Sequence, residues 1–411
     1  MNLIKAITGL EELRKNDKGR MLLYLIAFVP MIYKLISPFF IIAGLGEYSI
    51  VIMPTLVFFG ITMAWKDIKR DIKSNNWLFY LAIVIFLGFT PILTPENKEF
   101  WEKNYLTFVF QVLAFFFVGA LINYQRDEKL LRFVARMGVF VQMFWQTCLL
   151  LGLVQSDTSS GDSLGEQMES AYQLLFPIFM LFILLVKQKN LIDFACIILG
   201  IFLAFSMGAR GPIMVLIFFF AGYLLFFRTY KTYANFKRLL VLMVAGLSYY
   251  YLEAVVLFVS PLVASIGFST RVFDSILESR MADIDDSSYR DDFYGRVFKA
   301  IQNDGMGFGH GWGSDRLFTP TGGYAHNLEL ELFCQFGVIG GSIIFLCLFI
   351  YLIKSYKTSV ISNTTGFWFV MICSGFMALQ FSYTYVQYPI FFVFLGYVMN
   401  YKKIITSLHN N

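Results

Sequence analysis

Long apolar stretches separated by short polar connections set the rhythm of this chain. They cover 22–44, 47–65, 77–94, 105–123, 133–154, 171–186, 191–208, 212–227, 239–259, 332–353, 364–382 and 385–401. Each is about long enough to cross a bilayer as a helix, the form in which a single segment satisfies its own backbone groups. The pattern predicts an all-α membrane protein of about twelve transmembrane helices, in one polytopic domain over 1–411 without a soluble module or internal repeat. A long polar loop, 260–331, interrupts it between the ninth and tenth helices. Within that loop 285–303 reads as a short helix lying outside the membrane. Asp285, Asp286 and Ser287 can cap its start, Tyr289, Phe293, Val297 and Ile301 recur every four residues, and Gly305 supplies a stop. The segment 155–170 is acidic, small-residue and without bases, and reads as a solvated loop.

Composition agrees with the bilayer reading. The chain is 57% hydrophobic and 15% charged, with a mean hydropathy of +0.63, whereas a soluble chain carries about 25% charged residues. Lysine and arginine give the orientation. With the N-terminus in the cytoplasm, 23 of the 33 fall in inside connections, among them Lys18, Arg20, Lys66, Lys69, Arg126, Arg132 and Arg136. Both termini are then cytoplasmic, and 95–104, 155–170 and 260–331 face outward. The net charge of +5 is mostly this inside bias and calls for no nucleic acid. The first run is too long for a cleaved signal peptide and is expected to stay as an anchor. Five cysteines, in or beside apolar runs, form neither a disulfide framework nor a zinc spacing.

Three groupings offer chemistry. Arg210 sits in a very short outer connection, where an ionisable group is costly and suggests function; its planar fork suits a diphosphate, the alternative being a side chain snorkelling to lipid phosphate. Arg296 precedes a run of alternating glycines, Gly305, Gly307, Gly309, Gly311 and Gly313, with Phe308 and Trp312 between them. Glycines let a backbone approach a ligand and can turn successive amides toward an anion, and aromatic faces pack on sugar rings; the plainer alternative is a flexible turn. His326 and Asn327 stand at the lip of the tenth run, with Glu329 and Glu331 one helical turn on. A histidine there can exchange a proton with a carboxylate's help, or the group is only a helix cap. Asp283-Ile284-Asp285 has the form of a metal-binding acidic pair, but so short a pattern arises often by chance, and no metal is expected. Lys34, between Pro30 and Pro38 in the first run, either lines a cavity or reaches for an interface.

In order, spacing and side of the membrane these pieces resemble the O-antigen ligase and polymerase superfamily of bacterial membrane glycosyltransferases. The resemblance rests on Ala209-Arg210-Gly211, on Arg296 followed after ten residues by Gly307-Phe308-Gly309, and on His326-Asn327-Leu328-x-Leu330 leading into Gly337-Val338-Ile339-Gly340. The family commonly has a serine where this chain has Ala209. The resemblance implies an enzyme of the inner membrane, needing no cofactor or metal, that transfers a glycan from undecaprenyl diphosphate to a sugar hydroxyl on the periplasmic side. Arg210, Arg296 and His326 are the implied catalytic residues, with Gly307, Gly309, Trp312, Asn327 and Glu329 binding substrate. Lipid-linked oligosaccharide and membrane lipid are the implied partners, with a chain-length regulator protein beside them.

A polymerase acting on a second lipid-linked repeat unit is preferred over a ligase acting on lipid A core, because nothing in the chain is aimed at lipid A. A flippase for the same lipids competes, but transport favours internal repeats and ionisable groups near the midplane, and here they gather at the outer edge. A noncatalytic scaffold leaves the coincidence of Arg210, Arg296 and His326 unexplained.

Overall fold

The computed structural model describes residues 18–28, 31–45, 49–72, 74–151, 153, 169–207, 210–226, 257–258, 260–261, 264–265, 287–304, 307–318, 324–325, 327–381 and 383–400. Among them every regular element is helical. The longer helices are α1 (Lys18–Phe28), α2 (Met31–Ile42), α3 (Ser49–Met63), α4 (Ser74–Leu93), α5 (Lys98–Thr107), α6 (Tyr124–Leu150), α7 (Leu175–Lys187), α8 (Leu191–Ser206), α9 (Arg210–Phe226), α10 (Ser287–Asn303), α11 (Leu328–Ile361) and α12 (Pro389–Met399). Among the described residues, segments of membrane length and apolarity are Asn75–Leu93, Pro95–Leu121, Glu169–Lys187 and Leu328–Ile361, four in number, or five if α1 and α2 count as one bent span. This is consistent with a helical membrane protein, and the described residues do not establish all twelve spans that the runs predict. The ninth run, 239–259, lies almost wholly outside the described residues, and α3, α8, α9 and α12 are apolar but shorter.

Many apolar side chains point outward. On α11, Ile343, Leu346 and Phe349 are 57%, 60% and 61% exposed, a continuous surface that lipid tolerates and water does not. Polar groups lie inside instead. Pro91, within α4, has no amide to offer the carbonyl of Leu87. That carbonyl accepts the Trp101 indole N–H at 2.9 Å and the Thr90 hydroxyl at 2.7 Å.

The chain packs as two compact units. The first comprises residues 1–30, 48–131 and 286–411. In it the Phe115–Leu121 helix lies against α12, with Gly119 and Gly396 at the crossing. A methyl group on either glycine would strike the carbonyl of Val393 or of Phe116, so the backbones touch as small-residue membrane helices do. Asp127, almost wholly buried, accepts from Arg20 at 2.6 Å and from the Tyr24 hydroxyl at 2.8 Å.

The second unit comprises residues 31–47 and 132–285. Its centre is α7, buried along most of its length and packed on α8 and α9, with Phe179 stacked on Phe219 at 3.9 Å. Asn190 caps α8, accepting the Ile192 N–H, and Asp193 in the first turn, fully buried, binds Arg136 at 2.7 Å and Arg132 at 3.5 Å. Arginines counted as loose inside charges thus serve as buried partners. The solvated loop expected to last until residue 170 ends earlier, since Glu169 and Ser170 already belong to a helix.

Candidate functional site

The site is built on the start of α11, in the first unit. Asn327 caps this helix from an extended conformation, its side-chain oxygen accepting the Leu330 N–H at 3.0 Å. The helix runs on from there, but its backbone breaks at Gly337, with φ 71° and ψ 176°. The break releases the carbonyls of Cys334 and Gln335, which accept the N–H groups of His310 and Gly311, both at 2.9 Å. In return the carbonyl of Gly307 accepts the Ile339 N–H at 3.1 Å. The glycine loop is thus sewn into the gap of a broken helix.

Such an approach requires glycine. Gly309 and Gly337 both have positive φ, and a Cβ on either would collide with backbone of the facing strand of chain. The remaining amides are spent nearby: Gly309 donates to the Asp304 carboxylate at 2.6 Å and Gly307 to its carbonyl at 3.1 Å. At these positions the expected ring of amides facing an anion gives way to docking against α11. Trp312 is buried beneath the loop among Phe100, Tyr105 and Phe108, with ring centres 5.2, 6.5 and 5.3 Å away, so its face is not displayed to a sugar. Phe308, 68% exposed, is the aromatic the loop shows outward.

Below the loop lies a buried polar network. Asp315, wholly buried, accepts the Ala325 N–H at 3.0 Å on one oxygen. Its other oxygen accepts the Gln335 amide at 2.7 Å and faces the Arg316 guanidinium at 3.3 Å. Gln335 accepts in turn from the Tyr385 hydroxyl, and Glu331, also wholly buried, from the Thr384 hydroxyl. Arg316 keeps 15% of its side chain exposed, lies 4.5 Å over the Phe100 ring and comes within 4.0 Å of Glu331. Buried charges persist only when paired and hydrogen-bonded in this way.

Residue His326 lies outside the described residues, but its neighbours on both sides are fixed: Ala325 by Asp315 and Asn327 by its cap. Glu329, one turn along, has a buried carboxylate oxygen without a hydrogen-bond partner among the described residues. Arg296 sits on an exposed position of α10, the helix expected over 285–303, whose Val297 packs in a buried cluster with Ala325 and Cys334. Arg210 opens α9 in the second unit, and Gly305 and the Asp283-Ile284-Asp285 triplet lie outside the described residues. Among the described residues no group of three metal-ligating side chains converges.

Sequence reasoning missed Asp315, Arg316, Gln335, Thr384 and Tyr385. One signal was present: Gln335 is a lone amide inside the apolar run 332–353. Comparison with family models, with curated proteins and with solved structures finds no match to this chain.

Proposed function

We propose that the protein is a surface-polysaccharide polymerase of the O-antigen kind, spanning the inner membrane about twelve times with both termini in the cytoplasm. It transfers a glycan from undecaprenyl diphosphate to a sugar hydroxyl of another lipid-linked repeat unit on the periplasmic side. The observation that carries the reading is that the residues on either side of His326 are tied down, Ala325 by Asp315 and Asn327 by its cap at the head of α11.

In the proposed reaction His326 takes the proton of the attacking hydroxyl, whose oxygen bonds to the anomeric carbon. The bond from that carbon to the diphosphate breaks, and the diphosphate leaves with the electron pair. Arg296 and Arg210 receive the growing negative charge, and Arg316 adds a stacked guanidinium beside the anchored segment. Glu329, with its unspent oxygen, holds the imidazole.

The surface-glycan ladder of a deletion strain tests this. A core bearing one repeat unit is the expected product; bare core would point to a ligase, and repeat units held on the cytoplasmic side to a flippase. Arg210→Ala, Arg296→Ala and His326→Ala should each abolish polymer while the protein still accumulates in the membrane. Normal chain length in all three would rule the reading out.

A further inference from the structure

Residues 95–104, expected as an outside connection, form instead the descending arm of a hairpin in the first unit. Three contacts fix the register of that arm against α4. The Trp101 indole donates to the carbonyl of Leu87 at 2.9 Å, the Tyr105 hydroxyl to that of Val84 at 2.9 Å and, lower down, the Tyr80 hydroxyl to that of Val109 at 3.1 Å. Trp101 thus stands level with Leu87. The segment Asn75–Leu93 sets the depth, because its 19 residues make a helix of about 28 Å, just enough for a hydrocarbon core of about 30 Å. Leu93 marks the outer edge of that core. Side chains exposed on α4 stay apolar up to it, at Ile85, Phe86, Phe89, Ile92 and Leu93. Leu87, six residues before Leu93, lies about 9 Å below the edge.

At that depth α5 is charged. Lys98, Glu99, Glu102 and Lys103 recur at helical spacing on one exposed face, where Lys98 and Glu102 pair at 3.6 Å with their side chains 68% and 59% exposed. Below them Leu106 and Phe110 are exposed. A lysine stem can carry its charge up to water, but a glutamate is too short to cover about 9 Å. Ionisable groups inside a membrane face the protein interior or a water-filled space, and this face is turned outward. Two helices at one height therefore meet different surroundings, acyl chains beside α4 and water beside the upper part of α5. Polar above and apolar below, the face has the order of an amphiphile standing in the outer leaflet. Its two lysines and two glutamates cancel and offer donors and acceptors in equal measure, which suits hydroxyl groups. A bare diphosphate would meet Glu99 and Glu102.

We propose that this face docks a lipid-linked substrate arriving sideways in the outer leaflet, with its glycan head against Lys98, Glu99, Glu102 and Lys103 and its polyprenyl chain along Leu106 and Phe110. The proposal rests on the polymerase reading, from which it takes the substrate and the side of the membrane.

The experiment measures labelling by an impermeant maleimide on the full chain in lipid nanodiscs, with wild type and its five cysteines as background. A thiol reacts as its thiolate, which forms only where water reaches it. Glu102→Cys should label, whereas Phe89→Cys, which lies nearer the outer edge but on the lipid side of α4, should not. Losing an exposed ion pair should leave Glu102→Cys folded, and Glu99→Cys takes its place if it does not accumulate. Two probes are then added: undecaprenyl-diphosphate oligosaccharides extracted from a strain lacking the protein, and undecaprenyl diphosphate without sugar. Near saturation the sugar-bearing pool should slow labelling of Glu102→Cys about tenfold, and the sugar-free lipid should leave it unchanged. An inert Glu102→Cys, a Phe89→Cys that labels as fast, no protection by the pool, or equal protection by the sugar-free lipid would overturn the docking face. If the pool protects Glu102→Cys but wild type never lengthens it, the polymerase reading falls and the docking face stands. If wild type lengthens the pool without any protection, only the docking face falls.

Discussion

The carboxylate of Asp315 holds the backbone N–H of Ala325 at 3.0 Å, ten residues further along the chain and directly before His326. In Asp315→Asn, keeping the bond to Gln335 turns an amide N–H toward that of Ala325. A buried bond becomes a clash of donors, at a cost of about 1–3 kcal/mol. The variant should accumulate with a modest fall in melting temperature, yet polymer output should drop about tenfold or more, read from glycan ladders normalised to protein level. Ladders like those of wild type would mean that the anchor does not matter to the reaction.

Glycine positions give opposite outcomes. Gly337→Ala puts a methyl group into the backbone of Gly307 at a positive φ and should cost several kcal/mol, visible as a lower melting temperature in detergent. Gly295→Ala, within α10, meets nothing within 4 Å and should raise stability by about 1 kcal/mol through helix propensity alone.

Asp193 sits wholly buried against Arg136. Asp193→Asn leaves arginine charge buried and uncompensated, and should cost about 3–5 kcal/mol, seen as loss of folded protein from the membrane. The double variant Arg136→Met/Asp193→Leu should recover most of the folded yield. A double variant no better than the single one would show that the pair does more than neutralise itself.

Topology is open to cysteine labelling with an impermeant maleimide. Ser314 is wholly buried and makes a poor reporter, whereas Phe308 is 68% exposed. Phe308→Cys should label in intact spheroplasts, and Lys69→Cys, also at an exposed position, only after lysis. The reverse result would invert the orientation.

The sequence made the helices legible wherever apolar side chains alone determine them. The stripe containing Val297 and Ile301 located α10 to within two residues, and Asn327 announced the start of α11. It did not disclose the network around Asp315. That cluster joins residues from the glycine loop, α11 and the turn at 384–385, and no periodicity links segments so far apart in sequence. The glycines were read for what free amides do, because nothing in the spacing says that the same amides meet carbonyls released by Gly337. Trp312 misled for a similar reason: an indole between glycines looks displayed, and here it fills the space beneath them.

The break at Gly337 has a mechanical consequence. Because His310 and Gly311 occupy carbonyls that a regular helix would keep for itself, the glycine loop replaces a missing helical turn. It cannot swing away without stripping hydrogen bonds from α11, so it opens only when the top of α11 frays. The loop is frame rather than gate, and the amides of His310 and Gly311 should exchange with solvent as slowly as those of the helix they complete.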